Sequence, residues 1–203
     1  TNQSHTGKWS IDTESDTAAA DSTDGIKTIR LDHDDSGKAV TISYSIINLT
    51  QGIITCCFTG ETKVAMADGS EKNIEDIIVG DIVKTETGSA KVSKLHPTFL
   101  TNRVLYSIND GPAFVTAEHP FRTKEGWKSF SPAATKYENF ELYSDLAGAL
   151  SVNDEILCVD GTYKKLNSKK EVEGSWFMSL YNFSVEGDDH SYFANGYCVH
   201  NKS

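Results

Sequence analysis

No run of about 18 apolar residues occurs in this chain, which excludes a membrane-spanning helix. The opening stretch TNQSHTGKWS has neither a basic nor an apolar segment, so no signal peptide is expected within the chain. An upstream signal on a longer secreted, cell-surface or virion-associated parent stays open. Basic residues are scarce. Against 29 Asp and Glu there are 19 Lys and Arg, a formal net charge of −10. A nucleic-acid partner requires clustered Lys and Arg to neutralise phosphates, so that class is excluded. Cysteine is sparse too: Cys56, Cys57, Cys158 and Cys198. Four are too few for a disulfide framework in a chain of this size, and the adjacent pair could close only a strained ring. No C-x-x-C or H-x-x-x-H spacing is present, so no metal site is expected. Helical patterning is confined to KNIEDIIVG and SPAATKYENF, and neither a βαβ alternation nor a solenoid repeat is present.

What remains is an ordinary globular composition, 38% hydrophobic and 24% charged over 203 residues. That length suits one domain with an appendage, or two small ones. Residues 1–56 read differently from the remainder. DTESDTAAADSTDG is acidic and small, the signature of a loop or linker. Two strand-like runs follow, GIKTIRLDHD and KAVTISYSIINLT, the second with Val40, Ile42, Tyr44 and Ile46 on one side. The DHDDSG between them resembles a calcium loop, but Ser43 stands where a bidentate Glu belongs, so calcium is not expected. From Cys57 onward the chain is a succession of short strands around turn signals: ADGS, ETGS, NDGP and the Asp160-Gly161 pair. The fold class is all-β, dense in hairpins. Cys158 and Cys198 read as core fillers, and Trp127 and Trp176 as core aromatics rather than a cofactor box.

Four stretches carry chemistry. Cys57 begins CFTGETKV, and a thiol there can attack the carbonyl of Cys56, exchanging a peptide bond for a thioester. Thr116 and His119, spaced T-x-x-H in VTAEHPF, can present a hydroxyl and an imidazole to one peptide bond. Asn182 and His190 flank a hairpin in YNFSVEGDDHSYF. His200 and Asn201 close GYCVHN, where the Asn amide can attack its own carbonyl and cut the chain with imidazole help. Each histidine alone would be read as a satisfied loop residue. The N-x-S/T patterns at Asn48, Asn182 and Asn201 are of a kind that arises by chance.

In this order the motifs resemble the Hint superfamily: inteins, bacterial intein-like domains and the hedgehog autoprocessing domain. The resemblance runs through Cys57, Phe58, Thr62 and Val64; Asp68-Gly69, Ile74, Ile77, Gly80-Asp81 and Val83; Thr116 and His119; Tyr181, Asn182, Phe183, Val185, His190 and Phe193; and His200-Asn201. It implies a horseshoe-like, pseudo-twofold fold over 57–201, with an extein-like, partly β segment at 1–56 and a flank at 202–203. It also implies roles: Cys57 as nucleophile, Thr116 and His119 activating the Cys56–Cys57 bond, and His190 and His200 assisting cyclisation of Asn201. The expected activity is single-turnover autocatalytic cleavage and splicing rather than turnover catalysis. No cofactor is expected, and the partners are the chain's own flanking segments on a monomer, unless the parent forms a larger assembly. Two residues depart from the family pattern. Asn182 stands where Asp is common and cannot ionise, which would weaken the coupling of the two ends. Lys202 follows Asn201 where splicing inteins have Cys, Ser or Thr. No homing endonuclease is inserted, and the sterol-recognition extension of hedgehog proteins is absent. The rival reading is a structural or adhesive surface or virion protein carrying an inert Hint-fold appendage.

Overall fold

A computed structural model describes residues 9–11, 26–33, 40–45, 56–138 and 143–201. The chain divides into two units, residues 1–53 and 54–203. The first contains a three-stranded antiparallel sheet, with Ile26–His33 between Trp9–Ile11 and Val40–Ser45. Both strands expected in this region form, joined by a third at Trp9–Ile11. The acidic stretch after Ile11, most of the DHDDSG loop and the flank at 202–203 lie outside the described residues.

The second unit is built from the expected hairpins. Lys63–Ala65 pairs with Glu71–Asn73 around ADGS, and Ile82–Lys84 with Ser89–Leu95 around ETGS. Val104–Ile108 pairs with Ala113–Thr116 around NDGP, and Glu155–Leu157 with Tyr163–Lys165 around Asp160-Gly161. Gly69 and Gly161 adopt φ of +86° and +80°, which an L side chain resists, so glycine is required at these turns. The hairpin Ser191–Ala194 with Tyr197–His200 turns on Asn195 and Gly196, also at positive φ. Sequence reading passed over this Asn-Gly signal. Among the described residues, a 3-10 turn at Ile74–Asp76 and the helix Pro132–Glu138 fall in the two stretches with helical patterning.

Six strands form one sheet: Lys169–Glu173, Val104–Ile108, Ala113–Thr116, Phe58–Thr59, Ser179–Tyr181 and Thr98–Phe99, in that spatial order. A second, larger sheet contains Phe121–Thr123 hydrogen-bonded to Tyr197–His200, which pairs in turn with Ser191–Ala194. All eight residues of these last two strands are buried, so they are covered on both faces and read as near-continuous apolar runs rather than alternating ones. Phe183–Val185 belongs to a third small sheet, against Ser89–Leu95. The shared core holds Phe58, Phe121, Phe183 and Tyr192, all fully buried.

Two short crossings position the functional residues. The turn from Thr116 to Pro120 carries the chain from the first sheet to the second, closed by His119 N–H donating to Thr116 O at 3.2 Å. Asn182 carries it from Ser179–Tyr181 into Phe183–Val185. The first crossing is anchored by a buried ion pair. Arg103 Nη1 meets Glu118 Oε1 at 2.9 Å, and Arg103 also donates to the carbonyls of Leu100 and Phe99. Thr135 Oγ1 donates to Glu118 O at 2.8 Å. Removing one partner of such a pair leaves a buried charge without its counter-ion. Glu118→Ala should therefore destabilise the second unit by about 3–5 kcal/mol, measured by urea denaturation. The double variant Arg103→Met with Glu118→Leu should recover most of that loss. A double variant as unstable as the single one would show that the pair is not what holds the turn.

Candidate active site

The peptide bond between Cys56 and Cys57 is buried, with Cys57 wholly inaccessible and Cys56 nearly so. Both of its polar groups are held. The Cys57 N–H donates to Thr116 Oγ1 at 3.0 Å. The Cys56 carbonyl accepts from Asn182 Nδ2 at 2.7 Å. Thr116 is fixed for this by its own backbone N–H, which donates to Cys57 O at 3.0 Å, and its hydroxyl also reaches that oxygen at 3.3 Å. Asn182 Oδ1 accepts from Phe183 N at 2.8 Å and from Tyr192 Oη at 2.9 Å. These two donors determine which end of the amide is oxygen, so the NH₂ end must face Cys56. Burial, reinforced by the charges of Cys56 and Cys57, pushes the Tyr192 phenol well above its ordinary pKa and keeps it a donor.

His119 is fully buried with its ring across Phe58, centroids 4.2 Å apart. Neither ring nitrogen has a hydrogen-bond partner. The backbones of His200 and Cys56 come close enough to favour the charged ring, without hydrogen-bond geometry at either nitrogen. Burial dominates, aided by the charge of His200, and brings the pKa down to about 3. His119 is therefore a neutral imidazole at pH 7, set between the backbones of the two junction residues.

At the other junction Asn201 is buried, and its backbone N–H donates to His190 O at 2.8 Å. The side-chain orientation that satisfies both ends of its amide has Nδ2 donating to His190 O and Oδ1 accepting from Val185 N, each at 3.1 Å. His200 Nδ1 lies 2.6 Å from Asn201 O. A carbonyl oxygen can only accept, so Nδ1 carries the proton. Burial lowers the His200 pKa to about 4, even though the Asn201 backbone favours the charged ring. At neutral pH Nε2 therefore holds a free lone pair. His190 stacks on His200 with centroids 5.9 Å apart, and Trp127 packs edge-on at 5.0 Å. His190 Nδ1 is buried without a partner, and its backbone is left-handed, φ +52°.

All seven residues singled out in the sequence thus fall at one or the other junction: Cys57, Thr116, His119 and Asn182 at the first, His190, His200 and Asn201 at the second. Asn182 faces the junction as a hydrogen-bond donor, a role that needs no ionisable acid. Tyr192, which orients Asn182, was not anticipated; an aromatic in a buried strand gives no sign that its hydroxyl has a partner. None of the four cysteines is in a disulfide. Burial raises the thiol pKa of Cys158, and raises that of Cys198 further with help from Glu86 and Asp189. Among the described residues no group of three or more His, Cys, Asp or Glu side chains could hold a metal ion. Asn182 is too buried to carry a glycan in the folded domain.

A family model described as the Vint Hint-domain matches residues 56–155. The bacterial intein-like domain from Clostridium thermocellum superposes with a TM-score of 0.56 at 26% identity, over 72% of this chain and 99% of that one. The gp41-1 intein superposes with a TM-score of 0.53 at 22% identity, over 72% and 99%. A mutant of the Ssp DnaB mini-intein gives 0.53 at 17%, over 73% and 100%. At these last two identities the likeness concerns the fold alone. No curated protein sequence matches the chain. With a Hint-domain match over residues 56–155, and an intein-like domain superposed over nearly its whole length, the second unit carries a Hint domain of the intein-like kind.

Proposed function

We propose that this chain cuts itself at both junctions. Autocatalytic splicing is the known activity of the intein family, and the domain belongs to that self-processing group. The observation that carries the reading here is the grip on the Cys56–Cys57 peptide, with Asn182 Nδ2 on its oxygen and Thr116 Oγ1 on its N–H. Attack of the Cys57 thiol on the Cys56 carbonyl carbon makes a C–S bond and breaks the C–N bond. The negative charge that develops on the oxygen is met by the Asn182 amide, a donor already in place in a buried site. The thiol proton ends on the released α-amine of Cys57, with Thr116 Oγ1 on that nitrogen and neutral His119 near the Cys56 backbone. At the second junction Asn201 Nδ2 attacks its own carbonyl carbon and the bond to Lys202 breaks. The His200 Nδ1–H polarises the carbonyl, and the amide proton leaves with the Lys202 amine.

At the first junction a small thiol or hydroxylamine should release residues 1–56, followed by mass spectrometry. Cys57→Ala should abolish the release and Cys56→Ala should not. Asn182→Ala should slow it by about 10²–10³-fold, as loss of an oxyanion donor does. Release that persists in Cys57→Ala would sink the thioester assignment.

At the second junction Asn201→Ala should block loss of Lys202 and Ser203. The ε-amine of Lys202 is mostly protonated at pH 7, with an ordinary pKa of about 10.4, and cannot accept the acyl group as a thiol or hydroxyl would. A tagged partner fused after Ser203 should accordingly be recovered chiefly as a cleaved product, with residues 1–56 joined to Lys202 only a minor species. A joined product that dominates at pH 6 to 7 would overturn this cleavage-first order.

The buried imidazoles also set a pH dependence of stability. Both have folded pKa values below the unfolded value of about 6.5, so the unfolded chain binds more protons in that window. Their contribution is complete above pH 6.5 and is lost as pH falls through about 4 for His200 and about 3 for His119. For His200 alone the loss is about 3 kcal/mol. In an Asn201→Ala background, where the chain stays whole, the urea midpoint should fall steadily from pH 7 to pH 4, and His200→Gln should flatten that slope. A slope unchanged by His200→Gln would contradict the buried neutral ring.

A further inference from the structure

Asp189 lies immediately before His190 and collects donors from a different part of the chain. Its Oδ2 accepts from Thr85 Oγ1 at 2.7 Å, Thr87 N at 2.9 Å and Thr87 Oγ1 at 2.5 Å. Its Oδ1 accepts from Ser191 Oγ, which itself accepts from Glu86 N at 2.8 Å. The Thr85–Gly88 turn is closed on itself, with Thr85 N donating to Gly88 O and Gly88 N to Thr85 Oγ1. A rigid turn therefore holds the residues on both sides of His190.

His190 needs that support. Its φ of +52° is disfavoured for any residue with a Cβ. Its ring stacks on His200, but Nδ1 contributes no hydrogen bond to hold the backbone. Yet its carbonyl is the acceptor for the Asn201 backbone N–H, and for Asn201 Nδ2 in the satisfied orientation. If His190 relaxed to an ordinary φ, that carbonyl would rotate and the nucleophilic amide would lose its anchor. We infer that Asp189, clamped to the Thr85–Gly88 turn, is a positioning residue for the second junction, holding His190 in the left-handed conformation that aims Asn201. Hydrogen bonds from Ser191, Thr87 and Thr85 outweigh the effect of burial and keep the carboxylate ionised below its ordinary range, consistent with a permanent acceptor.

The inference rests on the cyclisation reading for its functional part and on geometry for the remainder, so two measurements separate them. In the full chain, Asp189→Ala and the milder Thr87→Val should slow loss of Lys202-Ser203 by about 10–10²-fold, the usual effect of a small misplacement. Thiol release at Cys57 should be unchanged, and Thr87→Ser, which keeps the hydroxyl, should behave as the parent. In an Asn201→Ala background the backbone amide of position 201 should exchange with deuterium about 10-fold faster in both variants, while the Cys57 amide keeps its protection. Unchanged exchange at position 201 in Asp189→Ala overturns the clamp, as does an equal loss at both junctions. If the parent chain never loses Lys202-Ser203, the cyclisation reading falls, and the exchange measurement still decides whether Asp189 holds the site.

Discussion

Everything in the second unit depends on a five-residue crossing. Thr116 ends a strand of one sheet, Phe121 starts a strand of another, and the five peptide bonds between them leave little slack. Because Phe58–Thr59 pairs with the first of these strands and Tyr197–His200 with the second, the crossing fixes where both junctions lie. Thr116 reaches the Cys56–Cys57 bond from one end of the crossing. At the other end Pro120 O accepts the His200 N–H at 3.1 Å. The Arg103–Glu118 pair and Thr135 hold the middle. Two stretches more than 140 residues apart in sequence are therefore brought together by local geometry rather than by a long, entropically costly loop.

A site made this way is buried, and burial has two consequences. Imidazoles in it stay neutral, because burial opposes the charged form more strongly than the nearby backbone favours it. Hydrogen bonds in it are also stronger than they would be in water. The unpartnered ring nitrogens of His119 belong to the same logic. A buried polar atom without a partner costs stability, and such costs gather where a chain must act rather than merely fold. The tilted packing of His119 against Phe58 offsets part of that cost without engaging either ring nitrogen.

The hairpins and the seven junction residues were legible because each has a local signature. ADGS, ETGS and NDGP state their turn chemistry in four letters, and T-x-x-H and the His-Asn pair are short. What escaped was non-local. Asp189 reads as one acid in an acidic loop, since its donors Thr85 and Thr87 lie about a hundred residues earlier. Tyr192 reads as one more core aromatic until its hydroxyl is seen on Asn182. Arg103 and Glu118, a buried pair, are in sequence two ordinary charges. Asn195-Gly196 is the exception, a plain local hairpin signal that was overshadowed by the motif beside it.

Asn182 shows how a departure from a family pattern can change a position's chemistry without emptying it. A carboxylate pressed against the Cys56 carbonyl in a buried site would repel that oxygen unless it were protonated, so its interaction would vary with pH. An amide donates at every pH, and the Phe183 N–H and Tyr192 hydroxyl on its oxygen leave it no choice of orientation. The first junction thus has fixed donors on its peptide bond with His119 nearby, while His190 and His200 lie at the second. The two are still not independent. His119 is close to the backbones of Cys56 and His200, and a charge on His200 lowers its proton affinity.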